Sequence, residues 1–65
     1  MTITKARELL GVQAGLASGY NRNAARLILA EVEREHGQNA VDQLIRDFDL
    51  ENHFGFRPGE KFSHP

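Results

Sequence analysis

Glu33 and His36 are the side chains in this sequence whose spacing comes closest to a chemical site. Three residues apart on a helix, a carboxylate and an imidazole lie on the same face, and di-metal carboxylate bundles use this step. Such bundles need the step twice, and the other candidate, His53, has carboxylates only four and two residues before it, at Asp49 and Glu51. We therefore predict no metal site and interpret His36 as a last-turn residue that interacts favourably with the helix dipole.

The other residues that could react do not form a catalytic motif. The chain has no cysteine, and Ser18 and Ser63 lie outside any nucleophile-elbow pattern. Gly11, Gly15 and Gly19 recur every four residues, but they lack the strand–turn–helix setting and the lysine of a phosphate-binding loop. A substrate cleft is also difficult to build in 65 residues. We predict a non-enzymatic protein without a cofactor or a small-molecule substrate.

Length and composition limit the chain to one small domain. Its 65 residues are close to the size at which a single hydrophobic core just suffices for stability. Without cysteine, neither a disulfide nor a thiolate-bound zinc can supplement that core. No apolar run is long enough to span a bilayer, and the segment from Met1 to Lys5 is not typical of a signal peptide. We expect a cytoplasmic protein.

Charge is distributed unevenly along the chain. The net charge is −1, which disfavours an overall electrostatic attraction to nucleic acid. Residues 1–30 contain four basic residues and one acidic residue, a net charge of +3. Residues 31–65 contain four basic and eight acidic residues, a net charge of −4. The basic half could contact an acidic partner or a second copy of the chain, or the asymmetry could be without function.

The segment from His36 to Asn39 predicts the end of one helix and the start of the next. Gly37 suits the left-handed backbone conformation just past a helix end, and Asn39 is expected to cap the following helix. So short a connection makes the flanking helices antiparallel neighbours. These helices are predicted over residues 22–36 and 40–50, each with apolar side chains at i, i+3, i+4 and i+7. The apolar side chains are Ala25, Ile28, Leu29 and Val32, widened by Ala24 and Leu27, on the first helix, and Val41, Leu44, Ile45 and Phe48 on the second.

A short N-terminal helix is predicted to cover the open side of this hairpin. It spans residues 5–10, begins at a cap formed by Thr2 or Thr4, and ends at Gly11. Together with the hairpin it makes residues 1–54 a helical domain. The predicted fold class is therefore all-α, a small three-helix or four-helix domain built on an antiparallel helical hairpin.

Residues 55–65 form a C-terminal arm that is predicted to be irregular and aromatic. Residues 57–60 (Arg-Pro-Gly-Glu) predict a turn, because proline fixes the first central φ and glycine accepts a positive one. Phe54, Phe56 and Phe62 are too apolar to remain in water. We expect them either to pack back on the hairpin or to be buried against another chain.

Residues 6–12 (Ala-Arg-Glu-Leu-Leu-Gly-Val) resemble the first helix and turn of helix-turn-helix DNA-binding proteins. The resemblance implies that residues 13–19 enter the major groove and read base edges. That stretch contains two glycines and no arginine or lysine, so it lacks the basic side chains for the task. Phosphate contacts could come only from Lys5, Arg7, Arg22 and Arg26. A small DNA-binding regulator that uses the Leu9–Ser18 region is the alternative function.

Residues 19–20 (Gly-Tyr) precede two alanines at positions 24 and 25, and residues 39–41 (Asn-Ala-Val) precede a Leu-Ile pair. This pattern is similar to the ubiquitin-associated-like three-helix fold, which also occurs in a bacterial elongation-factor exchange protein. In that family a Gly-aromatic loop precedes an alanine-rich helix. The resemblance implies a protein-binding surface around Gly19 and Tyr20.

The predicted function is a non-enzymatic protein-interaction or regulatory module that could also self-associate through its aromatic arm. Small chains without disulfides or metals often gain stability by forming oligomers, and aromatic side chains are enriched at interfaces. The expected partner is a protein or a second copy, with nucleic acid less favoured and no membrane. The predicted contact residues are Tyr20, Phe54, Phe56 and Phe62, with Arg22 and Arg26 at a charged rim.

Overall fold

The computed structural model describes residues 1–15 and 22–62, and these residues fold into four helices. Helix α1 packs against α2, α2 against α3, and α3 against α4. The described ranges contain no strand, so the predicted all-α class and its helical hairpin are confirmed. No helix in these ranges is long and apolar enough to cross a lipid bilayer. The helices are α1 (Ile3–Gly15), α2 (Arg22–His36), α3 (Gln38–Asp47) and α4 (Leu50–Phe54).

A single residue, Gly37, separates α2 from α3. Its φ of 93° and ψ of 173° belong to a region that essentially only glycine occupies. The Gly37 N–H donates to the carbonyl oxygen of Glu33 at 3.0 Å and closes α2, while its own carbonyl accepts the Val41 N–H at 3.5 Å and opens α3. The predicted bend at Gly37 is confirmed, but the predicted cap at Asn39 is wrong. Because Gly37 itself serves both helix ends, α3 begins at Gln38 and already includes Asn39.

Helix α1 begins at Ile3, two residues earlier than predicted, and ends later than predicted. The Thr2 hydroxyl oxygen accepts the Lys5 N–H at 3.0 Å, so Thr2 rather than Thr4 caps the helix. The predicted end at Gly11 is wrong, since α1 continues to Gly15. Glycine weakens a helix interior by only about 1 kcal/mol relative to alanine, and tertiary packing readily overrides that preference.

Helices α3 and α4 are separated by a residue in the left-handed conformation. Asp49 has φ 53° and ψ 44°, which aspartate tolerates better than most residues with a Cβ. Its carbonyl oxygen accepts the N–H groups of Asn52 and His53 and so starts α4. The second hairpin helix was predicted to run from residue 40 to residue 50 without a break, and the structure corrects this to two helices.

The hydrophobic core receives side chains from all four helices and from the C-terminal arm. Both predicted apolar stripes contribute to it, with Ile28 and Phe48 half-buried at its edge. Leu27, predicted to widen the first stripe, is instead 63% exposed because it lies about 160° around the helix from Leu29. The buried side chains are Ala6, Leu10, Ala25, Leu29, Val32, Val41, Leu44, Ile45, Leu50, Phe56 and Phe62.

The arm folds back over the hairpin. Its predicted turn is present, because the Glu60 N–H donates to the Arg57 carbonyl at 3.0 Å and Gly59 has a φ of 91°. The rings of Phe56 and Phe62, on either side of this turn, meet edge to face at 82° with centroids 5.1 Å apart. The turn therefore directs both rings into one core.

Polar side chains of α2 and α3 hold the arm in this position. Asp42 accepts the Gly59 N–H at 2.7 Å, and Gln38 donates its amide to the Glu60 carbonyl at 3.0 Å. On α2, the Glu33 carboxylate accepts the N–H of Phe62 at 3.0 Å. These hydrogen bonds orient the backbone of the arm, while the phenylalanine rings supply its apolar burial.

Candidate protein-interaction surface

Helix α2 directs its glutamates to the two sides of the helix. Glu31 and Glu35 both contact the amino group of Met1, Glu31 at 3.0 Å. Glu33 turns to the other side, where it accepts the backbone N–H of Phe62. The outward-facing part of the helix between these contacts therefore carries no carboxylate.

That part of α2 combines exposed apolar and cationic side chains. Leu27 is 63% exposed, and Arg26 and Arg34 are both exposed. Among residues 1–15 and 22–62, neither arginine forms an ion pair with a carboxylate, and Arg26 donates to the side-chain oxygen of Asn23 at 3.3 Å. Five residues of α2, including these three, lie within an arc of about 100° around the helix axis. We refer to them as the α2 outer face, which comprises Asn23, Arg26, Leu27, Arg34 and the half-buried Ala30.

The phenylalanines predicted to contact a partner are largely buried within the chain itself. Phe56 is fully buried and Phe62 is 6% exposed. Phe54 is half-buried, with its ring centroid 5.8 Å from that of Phe56. Of the two outcomes expected for these rings, the structure shows packing on the hairpin. Phe54 retains more exposed surface than the other two.

Arg22 and Arg26, predicted to form a charged rim, differ in their surroundings. The Arg22 Nε donates to the carbonyl oxygen of Phe54 at 2.9 Å, and its guanidinium carbon lies 4.8 Å from the centroid of the Phe56 ring. This cation–π contact ties Arg22 to the arm. Arg26 forms no hydrogen bond or ion pair with a residue outside α2 within the described part of the chain. Tyr20, the remaining predicted contact residue, lies outside the described residues.

The basic residues at the N-terminal end of α1 also have intramolecular partners. Arg7 donates to an Asp47 carboxylate oxygen at 2.6 Å, and its guanidinium carbon lies 5.9 Å from the centroid of the Phe48 ring. The Lys5 ammonium lies 3.8 Å from the carboxylate of Glu8. Contact with a phosphate would compete with these ion pairs.

The Glu33–His36 step does not converge on a common ligand position. Glu33 contacts the arm, whereas the His36 Nε2 donates to the carbonyl oxygen of Met1 at 2.8 Å. In the part of the chain that the structure describes, no three histidine or carboxylate side chains are grouped to hold a metal ion. The same part contains no pocket.

Hydrogen bonds lower the pKa of two carboxyl groups on α3. The Gln38 amide, with the N–H of Gly59 second, holds the pKa of Asp42 below its usual value. The Arg7 guanidinium, followed by the side chain of Gln43, does the same for the pKa of Asp47. Both carboxylates therefore have structural contacts and remain ionised at neutral pH.

The amino group of Met1 and the carboxylates beside it shift one another in opposite directions. Hydrogen bonding to Glu35, and then to Glu31, raises the pKa of the Met1 amino group. The same contact lowers the pKa of Glu35. This ion pair joins the start of the chain to the last turns of α2.

Sequence reasoning missed the α2 outer face because it assigned the side chains separately. The sequence analysis places Leu27 in the core stripe and does not group it with the neighbouring arginines. The signal was present in the helical period, since position 27 lies opposite positions 25, 29 and 32. The contacts that turn the α2 glutamates to the sides of the helix come from residues distant in sequence, so no local pattern predicts them.

The two family resemblances can be compared with the helix bounds. Helix α1 passes through Gly11, so the turn that a helix-turn-helix protein needs after its first helix does not occur there. The Gly19-Tyr20 loop of the ubiquitin-associated-like resemblance lies outside the described residues. No known protein family, curated protein or solved structure matches this chain.

Proposed function

We propose that this protein is a non-enzymatic protein-interaction module whose contact surface is centred on the α2 outer face. The proposal rests on Leu27, which is 63% exposed between two arginines that form no ion pair among the described residues. A single exposed leucine is common on proteins. An apolar anchor with a charged rim on a rigid helix has the composition of a protein contact. The partner is another protein or a second copy of the chain.

The aromatic arm has a supporting role in this proposal. Its buried rings close the core beneath α2, and the bond from Arg22 to Phe54 fixes its start. The α2 outer face is thereby presented on a helix held from both sides, by Met1 and by Phe62. Phe54, with its half-exposed ring, can extend the contact surface beyond the N-terminal end of α2.

A DNA-binding regulator is the alternative function, and the geometry supports it less. The continuous α1 provides no turn at Gly11, and both Arg7 and Arg22 are bonded within the chain. Fluorescence anisotropy with a labelled non-specific DNA duplex tests the alternative. Binding at low salt that weakens steeply as salt is added would favour DNA over protein.

Photo-crosslinking in the native host cell tests the proposal directly. A chain with p-benzoylphenylalanine in place of Leu27 is expected to form discrete protein adducts that mass spectrometry can identify. The matched control carries the same group in place of Arg57, an exposed residue of the arm. Absence of adducts at position 27, or adducts at position 57 alone, would contradict the proposal.

A further inference from the structure

We infer that the α2 outer face binds an acidic amphipathic α-helix of another protein. This inference rests on the proposed function and specifies the chemistry of the partner. Arg26 and Arg34 lie eight residues apart, which is about 12 Å along the helix axis, with Leu27 and Ala30 between them. A helix with carboxylates at a similar spacing and an apolar side chain between them matches all of these groups at once.

Charge favours a foreign partner over a symmetric dimer of this chain. A two-fold contact through the α2 outer face would bring Arg26 and Arg34 of one copy against the same residues of the other. Like charges placed together in an interface cost stability. The glutamates of α2 do not relieve this repulsion, because their carboxylates contact Met1 and Phe62.

The acidic surface of a second copy also fits poorly. Asp49 and Glu51 are exposed carboxylates without a side-chain partner among the described residues, but they are only two positions apart. The exposed carboxylate of Glu60 accepts the backbone N–H of Arg57 within its own turn. Helix α4, which carries Glu51, has five residues and cannot present two carboxylates about 12 Å apart. Nucleic acid fits less well still, since Leu27 would face a phosphate backbone that offers it no apolar contact.

The inference is tested with a synthetic 15-residue peptide of alanine and glutamine. The peptide carries glutamate at its fourth and twelfth positions and leucine at its seventh and eighth. One control peptide has the glutamates moved to the face opposite the leucines, and a second has lysine in place of both glutamates. Binding of each fluorescein-labelled peptide is measured by anisotropy at low and moderate salt, with the same DNA duplex as a further ligand.

The expected result is binding of the acidic peptide and at least tenfold weaker binding of both controls and of the duplex. Leu27→Ser and the pair Arg26→Glu with Arg34→Glu are each expected to weaken binding of the acidic peptide about tenfold. Arg57→Glu, a charge reversal outside the face, should leave it unchanged. The arginine double variant should instead prefer the lysine peptide, because the charges are then complementary again. All of these residues are exposed, so unchanged melting temperatures will show that the variants fold.

Several results would overturn the inference. They are equal binding of the acidic and control peptides, preference for the duplex, and binding insensitive to Leu27→Ser. Concentration-dependent dimerisation that Leu27→Ser abolishes would overturn it as well, because the occupant would then be a second copy. If adducts still form at position 27 in cells, the proposed function stands and only the acidic-helix partner is excluded. If those adducts are absent, the proposed function itself fails.

Discussion

The Asp42 Oδ1 and the backbone N–H of Gly59 lie 2.7 Å apart, which fastens the turn of the arm to α3. The same oxygen accepts the amide of Gln38 at 2.9 Å, and that amide also reaches the carbonyl oxygen of Glu60. One carboxylate oxygen thus joins the start of α3 to a turn 17 residues later in the chain. These hydrogen bonds help to position Phe56 and Phe62, which lie on either side of that turn and also contact Arg22 and Glu33, respectively.

Asp42→Ala is expected to destabilise the protein by about 0.5–1.5 kcal/mol, the net value of an ordinary hydrogen bond. The substitution removes the acceptor that the Gly59 N–H and the Gln38 amide share, although water can reach the exposed Gly59 N–H and the Gln38 amide keeps its bond to the Glu60 carbonyl. Asp42→Asn keeps an oxygen at this position and should lose less. Urea unfolding measures both variants, and Glu51→Ala on the exposed side of α4 is the control. Equal stability of Asp42→Ala and the unsubstituted protein would show that the hydrogen bonds of Asp42 do not hold the arm.

Acid should weaken the hydrogen bonds that Asp42 accepts from Gly59 and Gln38. The folded-state pKa of Asp42 is lowered, so its ionised contacts stabilise the protein above the unfolded pKa and are lost as the pH falls through the folded pKa. The free energy of unfolding is expected to fall as the pH is lowered from about 5 to about 2. In Asp42→Asn the free energy of unfolding should fall less steeply with acid. Some decline remains because the pKa of Asp47 is lowered as well. Identical pH dependence in the two proteins would contradict this assignment.

Alkaline pH should weaken the contact between the start of the chain and α2. The pKa of the Met1 amino group is raised from 8.0, so the stability it contributes is complete below that value and is lost as the pH rises through the folded pKa. We expect thermal stability to decline as the pH is raised above 8.0. Glu35→Gln should reduce this decline, whereas Glu51→Gln, remote from Met1, should not.

Gly37→Ala is expected to destabilise the protein by about 1–3 kcal/mol. A Cβ at this position would meet no neighbouring atom within 4 Å, so the cost comes from the backbone conformation alone. With a φ of 93°, position 37 lies where residues with a Cβ are strained. Chemical denaturation measures the loss. A neutral result would mean that the junction between α2 and α3 relaxes without cost.

Gly11→Ala, within α1, is expected to stabilise the protein, unlike Gly37→Ala. The added methyl group would lie 3.7 Å from a ring carbon of Phe48, an ordinary van der Waals contact. Alanine is also the better helix former by about 1 kcal/mol. We therefore expect the free energy of unfolding to rise by up to about 1 kcal/mol. A loss of stability would show that α1 and the Phe48 ring are packed too closely at this point to accept a methyl group.

The hairpin could be predicted because its determinants are local. The apolar periods of α2 and α3 and the glycine between them identify the helices and the bend, and the structure has all three. The errors at Gly11 and Asn39 have a common cause. Each assigned a helix end from the preference of one residue, and those preferences are small compared with the packing of a whole helix.

The candidate surface was harder to predict because it is defined by contacts distant in sequence. Arg22 was correctly expected to be exposed, but its contacts with Phe54 and Phe56 join residues more than 30 positions apart. The phenylalanines of the arm were recognised as needing burial, and the sequence left open whether their own chain or another would bury them. Helical position alone identifies Leu27 as outward-facing, so its exposure could be predicted from the sequence.

The position of Phe62 in the core has a consequence for protein synthesis. A ribosome releases the chain from its N-terminus, so the three longer helices are made before Phe56 and Phe62 exist. Until residue 62 is translated, part of the hydrophobic core of the nascent chain is exposed to solvent. Molecular chaperones can bind this exposed apolar surface. The fold is therefore complete only after Phe62 has left the ribosome.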